Sequence, residues 1–206
     1  MGNRPFFAEV VESALSHFKA LCWDWNSAIP FGSLVIAEKE SLSIFAVVSS
    51  IETGSSDPTR QPIAYQKTEQ ELKRDHPHIF EFLQTKLTCT VIGFTKGASP
   101  FHSELPPHPA SIHTFVRPAR DDEQLLAFAS GSFLHRLCAE LPPTAADELI
   151  LALIRNRMET KPFTSAELNE LTLNIAALVE NDYQRLKRFF TRLDNCIKTN
   201  TSTPKN

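Results

Sequence analysis

The sequence predicts an α+β protein with a β-rich front and a helical back, and three observations carry that reading. Up to about residue 118, runs of β-branched and aromatic residues are bounded by Gly and Pro, as strands are. After Arg117-Pro118 the apolar spacing changes from two to three or four, the period of a helix. Thr68 with Glu71 and Thr164 with Glu167 have the spacing of a capping box, in which each side chain satisfies the other's free backbone donor.

Taken in order, His17 to Trp23, Gly32 to Ile36 and Ile44 to Val48 read as successive strands of one sheet. A fourth, Leu87 to Phe94, sets Leu87, Cys89 and Val91 on one face and Thr88, Thr90, Ile92 and Phe94 on the other. Ile112 to Val116 is a shorter candidate. Between the third and fourth strands the Thr68 box and Pro77, which suits a first helical turn, predict a helical insert of two short helices. Pro100, Pro106, Pro107 and Pro109 lack backbone donors and predict an extended loop from Gly97 to Pro109.

In the back part, Asp121-Asp122-Glu123 places negative charge at a helix N-terminus, and Leu126, Phe133, Leu137 and Leu141 share a face as far as Pro142-Pro143. Within that helix the pair Gly131-Ser132 predicts close packing or a mild kink. Thr144 with Asp147 resembles the cap of a buried helix through Leu149 to Ile154, which Pro162 stops. From Thr164, the positions Leu168, Leu171, Ile175, Val179, Tyr183, Leu186, Phe190, Leu193 and Ile197 predict one long amphipathic helix of roughly 45–50 Å. Residues 199–206 read as a disordered polar tail.

Composition narrows the function classes. The 206 residues are 42% apolar, enough for a packed core, and a net charge of -3 argues against a partner such as duplex DNA. Cys22, Cys89, Cys138 and Cys196 lack metal-ligand or redox spacing and read as small apolar residues in a reducing compartment. Glu9 and Glu12 interrupt any signal-peptide core, Phe6 stands where a myristoylation signal after Gly2 needs Ser or Thr, and no run is long enough for a membrane span. A cytoplasmic location is expected.

The segments Gly32-Ser33-Leu34-Val35, Ile44-Phe45-Ala46-Val47-Val48, Asp57-Pro58-Thr59-Arg60-Gln61-Pro62 and Val91-Ile92-Gly93-Phe94, ahead of Pro106-Pro107-His108-Pro109, stand in an order that resembles the HAS-barrel. That domain is the small β-barrel preceding the motor in HerA-type and ATP-synthase-type ATPases. The resemblance implies a small N-terminal barrel with a helical insert at 1–118, a helical bundle at 119–198, and a role in assembly rather than chemistry. Its implied partner is a separately encoded ATPase. Two departures stand out: Ala46 occupies a position where the family often has Gly, and the insert exceeds a plain barrel connection. The family's motor is also missing, since Gly93-Phe94-Thr95-Lys96-Gly97 does not give the Gly-Lys-Ser/Thr order that cradles phosphate.

No catalytic, cofactor or metal site is predicted, and the chain is read as non-enzymatic. His76, His78, His102, His108 and His113 cluster in sequence without the register of a zinc site. Cys89 with His113 is the one conceivable dyad, against which stands an inert Cys89 in an apolar strand. The candidate interaction residues fall in two places. Asp57, Arg60 and Tyr65 form either a recognition loop or a structural turn in which Asp57 caps the backbone and Arg60 pairs with it or with Glu69. Arg188, Phe190, Arg192, Leu193 and Ile197 sit near the end of the last helix, where the apolar stripe meets either its own bundle or a partner.

The leading expectation is therefore a protein-interaction or assembly module, with homo-oligomerisation open. The alternatives are a barrel binding single-stranded nucleic acid through the basic helix end, and a hydrolase joining Arg60 with His108 or His113.

Overall fold

The computed structural model describes residues 6–57, 59, 62–97, 99–129, 131–179 and 182–201, with side chains as far as 198. The proposed tail beyond 201, the N-terminal Met1 to Pro5 and the candidate Arg60 lie outside the described residues.

Six antiparallel strands close into a barrel: β1 (Ala8–Ser13), β2 (His17–Cys22), β3 (Leu34–Lys39), β4 (Leu42–Ser55), β5 (Leu83–Lys96) and β6 (Phe115–Pro118). Their order around the wall is β1-β2-β5-β4-β3-β6. The short β6 closes the ring by pairing with β1 at Ala8 and with β3 at Ala37. β1 is a strand that the sequence reading did not place, because only Ala8 and Val10 supply its buried face and glutamates stand between and after them.

The near-continuous apolar run in β4 has a simple cause, since both of its faces are covered. Ile44, Ala46 and Val48 point into the barrel with Val10, Phe18, Val35, Leu87, Cys89 and Val91. Phe45 and Val47 point outward and join Leu34, Ile36 and Ile92 beneath the helices. The period of two is thus preserved while neither face is polar. The barrel interior is filled by side chains, most of them with no exposed surface.

The insert holds α1 (Glu69–Asp75) and a 3-10 turn (Pro77–Phe82). Thr68 and Glu71 form the expected capping box, and Pro77 opens the second turn. The proline-rich loop folds back on the sheet, with Phe101 edge-on to Phe45 at 5.2 Å and His102 bridged to Phe94.

The helical layer comprises α2 (Asp121–Phe128), α3 (Phe133–Glu140), α4 (Pro143–Thr160), α5 (Ser165–Leu178) and α6 (Tyr183–Thr201). Four expectations are corrected by these helices. The helix expected through Gly131 is two helices, because Gly131 takes φ +57, a left-handed conformation that breaks the ladder, and Leu126 is left exposed. Thr144 lies inside α4 instead of capping it, since Pro142 and Pro143 start that helix two residues earlier than the Thr144–Asp147 spacing suggests.

The long amphipathic run is likewise divided. α5 ends at Leu178, and Asp182 accepts the Arg185 amide through Oδ1 at 2.9 Å, which starts α6 afresh. The break shifts the helical phase, so Phe189 and Leu193 face the core while Phe190 and Ile197 are only partly buried. Helix α6 also continues to Thr201, past the expected start of the tail at residue 199.

Barrel and helices share a seam. Gly32 lies so close to α4 that a Cβ there would stand 2.6 Å from the Ala152 Cβ. At the other end of β3, Arg117 of β6 bonds both Glu38 and Glu123.

Candidate protein-docking site

β4 and β5 pair along their whole length, from Leu42 opposite Lys96 to Ser55 opposite Leu83. Their neighbours are shorter. β3 covers only Leu42 to Val47, with Ser33 reaching Val48, and β2 reaches no further along β5 than Lys86. The remainder is a two-stranded arm projecting beyond the barrel wall, and the helical insert sits at its tip.

Between arm and insert lies a cavity of about 400 Å³ lined by Ser55, Ile63, Tyr65, Leu72, Phe80 and Leu83 among others. Its floor is held by aromatic contacts. Phe80 stacks on Trp25 at 5.9 Å, and Trp25 in turn accepts the Thr85 hydroxyl on its carbonyl at 2.6 Å. The rim is open: Ile63 is 67% exposed and Tyr65 is 37% exposed, its ring beside that of His76. Large apolar groups are thus gathered around an open concavity.

The electrostatics of the insert fix its shape. Asp75 accepts from Arg74 and from Lys67 at 2.8 and 2.9 Å, and these hydrogen bonds, Arg74 first, bring its carboxyl down to about 2. Glu71 is lowered by the Thr68 backbone amide and then by the Thr68 hydroxyl, which is the capping box expressed as a titration.

Of the first group of sequence candidates, Asp57 and Tyr65 fall at this place. Asp57 accepts the Thr59 amide and hydroxyl on Oδ1, the backbone cap of a structural turn. Glu69, one of the partners considered for Arg60, pairs with Lys73 at 2.6 Å. Tyr65 stands on the cavity rim.

The second group lies elsewhere, on α6. Arg192 makes a paired contact with Glu148 of α4, at 2.6 and 2.7 Å, and Arg185 holds Asp147 of the same helix. Arg188 is exposed and donates to the Gln184 carbonyl. Leu193, at 3% exposure, belongs to the core and not to a free surface. Phe190 and Ile197 line a shallow cleft between α5 and α6 with Leu168 and Tyr183.

The structure does not assemble the other constellations. Cys89 is wholly inside the barrel, where burial pushes its thiol far up, whereas His113 is exposed and contacts Glu9 at 2.5 Å. His108 lines a separate cleft with Lys39 and Ser111. Among the described residues no three metal-ligating side chains converge. Sequence reasoning missed the Trp25 and Phe80 floor and the Arg117–Glu123 pair, whose partners are far apart in the chain or hidden inside a helix-start signal.

No family model matches the chain. No curated protein matches it either.

Proposed function

We propose that this protein is a non-enzymatic interaction or assembly module, and that the arm and insert form its docking surface. The observation that carries this reading is the open apolar cavity rimmed by Ile63 and Tyr65, on a part of the chain that contributes to neither apolar core among the described residues. A segment kept outside both cores while presenting large apolar groups fits recognition better than stability. A filled barrel interior also leaves the outer surface as the place for contact.

The resemblance of the barrel to the HAS-barrel adds an expected class of partner, a separately encoded ATPase. Among the described residues no helix is long and apolar enough to cross a membrane, so the reading requires no bilayer. The nucleic-acid alternative is disfavoured by the use of Arg185 and Arg192 in ion pairs to α4. The hydrolase alternative is disfavoured by the separation of His108 and His113 from the cavity of the insert.

The test is a photo-cross-linking amino acid placed at Ile63 in the producing cell. One discrete adduct, absent when the same group replaces the equally exposed Leu173 on α5, is the expected result. Adducts no different from that control would remove the proposal.

A further inference from the structure

The arm carries a second feature, independent of the apolar cavity. In an antiparallel ladder, alternate residues direct both backbone groups at the partner strand and the residues between direct them away. Ser56 N–H donates to the Phe82 carbonyl, which fixes the phase beyond the irregularity at Val48 and Ser50. Ser50, Glu52 and Gly54 therefore face β5. Ile51, Thr53 and Ser55 turn their N–H and C=O groups outward, on the side that β3 leaves at Val48. Among the described residues no backbone partner meets these groups, Ile51 is 37% exposed, and a Cβ built on Gly54 would meet nothing within 4 Å.

We infer that the outer edge of β4 from Ile51 to Ser55 takes an extended segment of a partner protein as an added antiparallel strand. This rests on the reading of the arm as a docking surface and states how the partner is held. Outward N–H and C=O groups in strand geometry are matched by an extended backbone. The side chains of that segment are specified as well. Residues opposite Ile51, Thr53 and Ser55 lie on the face shared with Leu83, which lines the cavity, so apolar residues suit them. The residue opposite exposed Glu52 lies on the other face, where Lys or Arg gives a cross-strand pair.

A second copy of this chain fits the edge less well. The open stretch is bounded by Ser33 at one end and by the insert at the other. Two copies pairing edge to edge would bring their own barrels and inserts against those ends and set their Glu52 side chains on one face. A slender segment brings neither.

The probe is the peptide acetyl-Val-Thr-Val-Lys-Val-amide, added to the full chain and followed by amide resonances and hydrogen exchange. Ile51, Thr53 and Ser55 amides are expected to exchange rapidly without peptide, and to shift and become protected with it. Methylating the three valine amides of the peptide leaves the protein untouched and should weaken binding about tenfold or more. Thr53→Pro, which removes an outward donor from the ladder, should do the same, and Thr53→Val, which removes only the hydroxyl contact to Thr85 and keeps the backbone donor, should not. The inference is overturned if neither peptide moves these resonances or if both move them alike. It is equally overturned if the amides are already protected in a dimer seen by sedimentation. An Ile63 adduct that persists in Thr53→Pro would sink the added strand and leave the interaction reading standing, whereas no adduct in the unaltered chain sinks the reading itself.

Discussion

Arg117 and Glu123 are joined by two parallel hydrogen bonds, Nη1 to Oε2 and Nη2 to Oε1, each 2.7 Å long. Their side chains are 5% and 11% exposed, so this fork is the buried clamp between the last barrel strand and the first helix of the bundle. Burial alone would push the Glu123 carboxyl up, but the Arg117 bonds and the Arg120 backbone amide outweigh it and hold it below its ordinary value. Removing one partner strands the other charge in a place where water does not reach it.

Glu123→Gln is therefore expected to cost about 3 kcal/mol, moderated by the bond that Arg117 keeps to Glu38. Thermal unfolding should fall by roughly 6–12 °C for a chain of this size. The pH dependence has a definite sign. A carboxyl lowered in the folded state stabilises above its unfolded pKa, and that contribution is lost as pH falls through the folded value. The variant should lose less stability than the parent between pH 5 and the acid limit, in ~0.5-unit steps of a urea titration. A parallel decline in both would contradict the assignment.

Gly32→Ala tests the other seam. Its φ of +80 is strained for any Cβ, and the new methyl would also stand 2.8 Å from backbone atoms of Ala152 and Leu153. Backbone strain and overpacking together predict a loss of about 3 kcal/mol in urea unfolding. Because part of the clash is with α4 backbone, Ala152→Gly should not restore it. Full rescue by that second change would show the contact to be side chain only.

The two ion pairs that dock α6 on α4 should differ in worth. Arg185 and Asp147 are 18% and 16% exposed, whereas Arg192 and Glu148 are about half exposed. Asp147→Ala is expected to cost about 1–2 kcal/mol, and Glu148→Ala no more than about 0.5 kcal/mol. Denaturant midpoints at low and high salt check this, with the Glu148 effect vanishing first as salt rises. Equal and salt-resistant losses would mean that the exposed pair is a structural anchor too.

The strands whose both faces are buried were the most legible part of the chain, because Ile44 to Val48 and Leu34 to Ile36 have no polar face to confuse the period. The ends of those strands were not legible. Apart from Ile51, Ser49 to Ser55 are small or polar, since the arm has left the barrel and one of its edges meets solvent. Helix breaks at Gly131 and before Asp182 were hidden by apolar positions that keep a helical spacing on both sides of each break. The capping boxes at Thr68 and Thr164 were readable because each is a local, reciprocal bond. The cavity was not, as its Ser55, Leu72 and Phe80 come from a strand, a helix and a 3-10 turn, Phe80 rests on Trp25 of a distant segment, and only Tyr65 stood out in advance.

The insert should loosen independently of the rest. Neither apolar cluster includes a described residue between 56 and 82, and the link from insert to barrel wall runs through the Phe80 ring on Trp25 and the Thr85 hydroxyl beneath it. Phe80→Ala removes the stacking partner and part of the cavity floor, an effect of about 2–4 kcal/mol on a well-packed ring but one that falls on a peripheral unit. The main unfolding transition is therefore expected to move by less than about 1 kcal/mol, because the barrel and bundle cores are untouched. Limited proteolysis should at the same time cut sooner within residues 57–82, and Trp25 fluorescence should shift toward that of an exposed indole. If the main transition falls with the same cooperativity and no early cleavage appears, the insert is part of the core. A docking surface able to adapt to a partner requires the first outcome, since a segment fused to the core could not rearrange without unfolding the barrel that carries it.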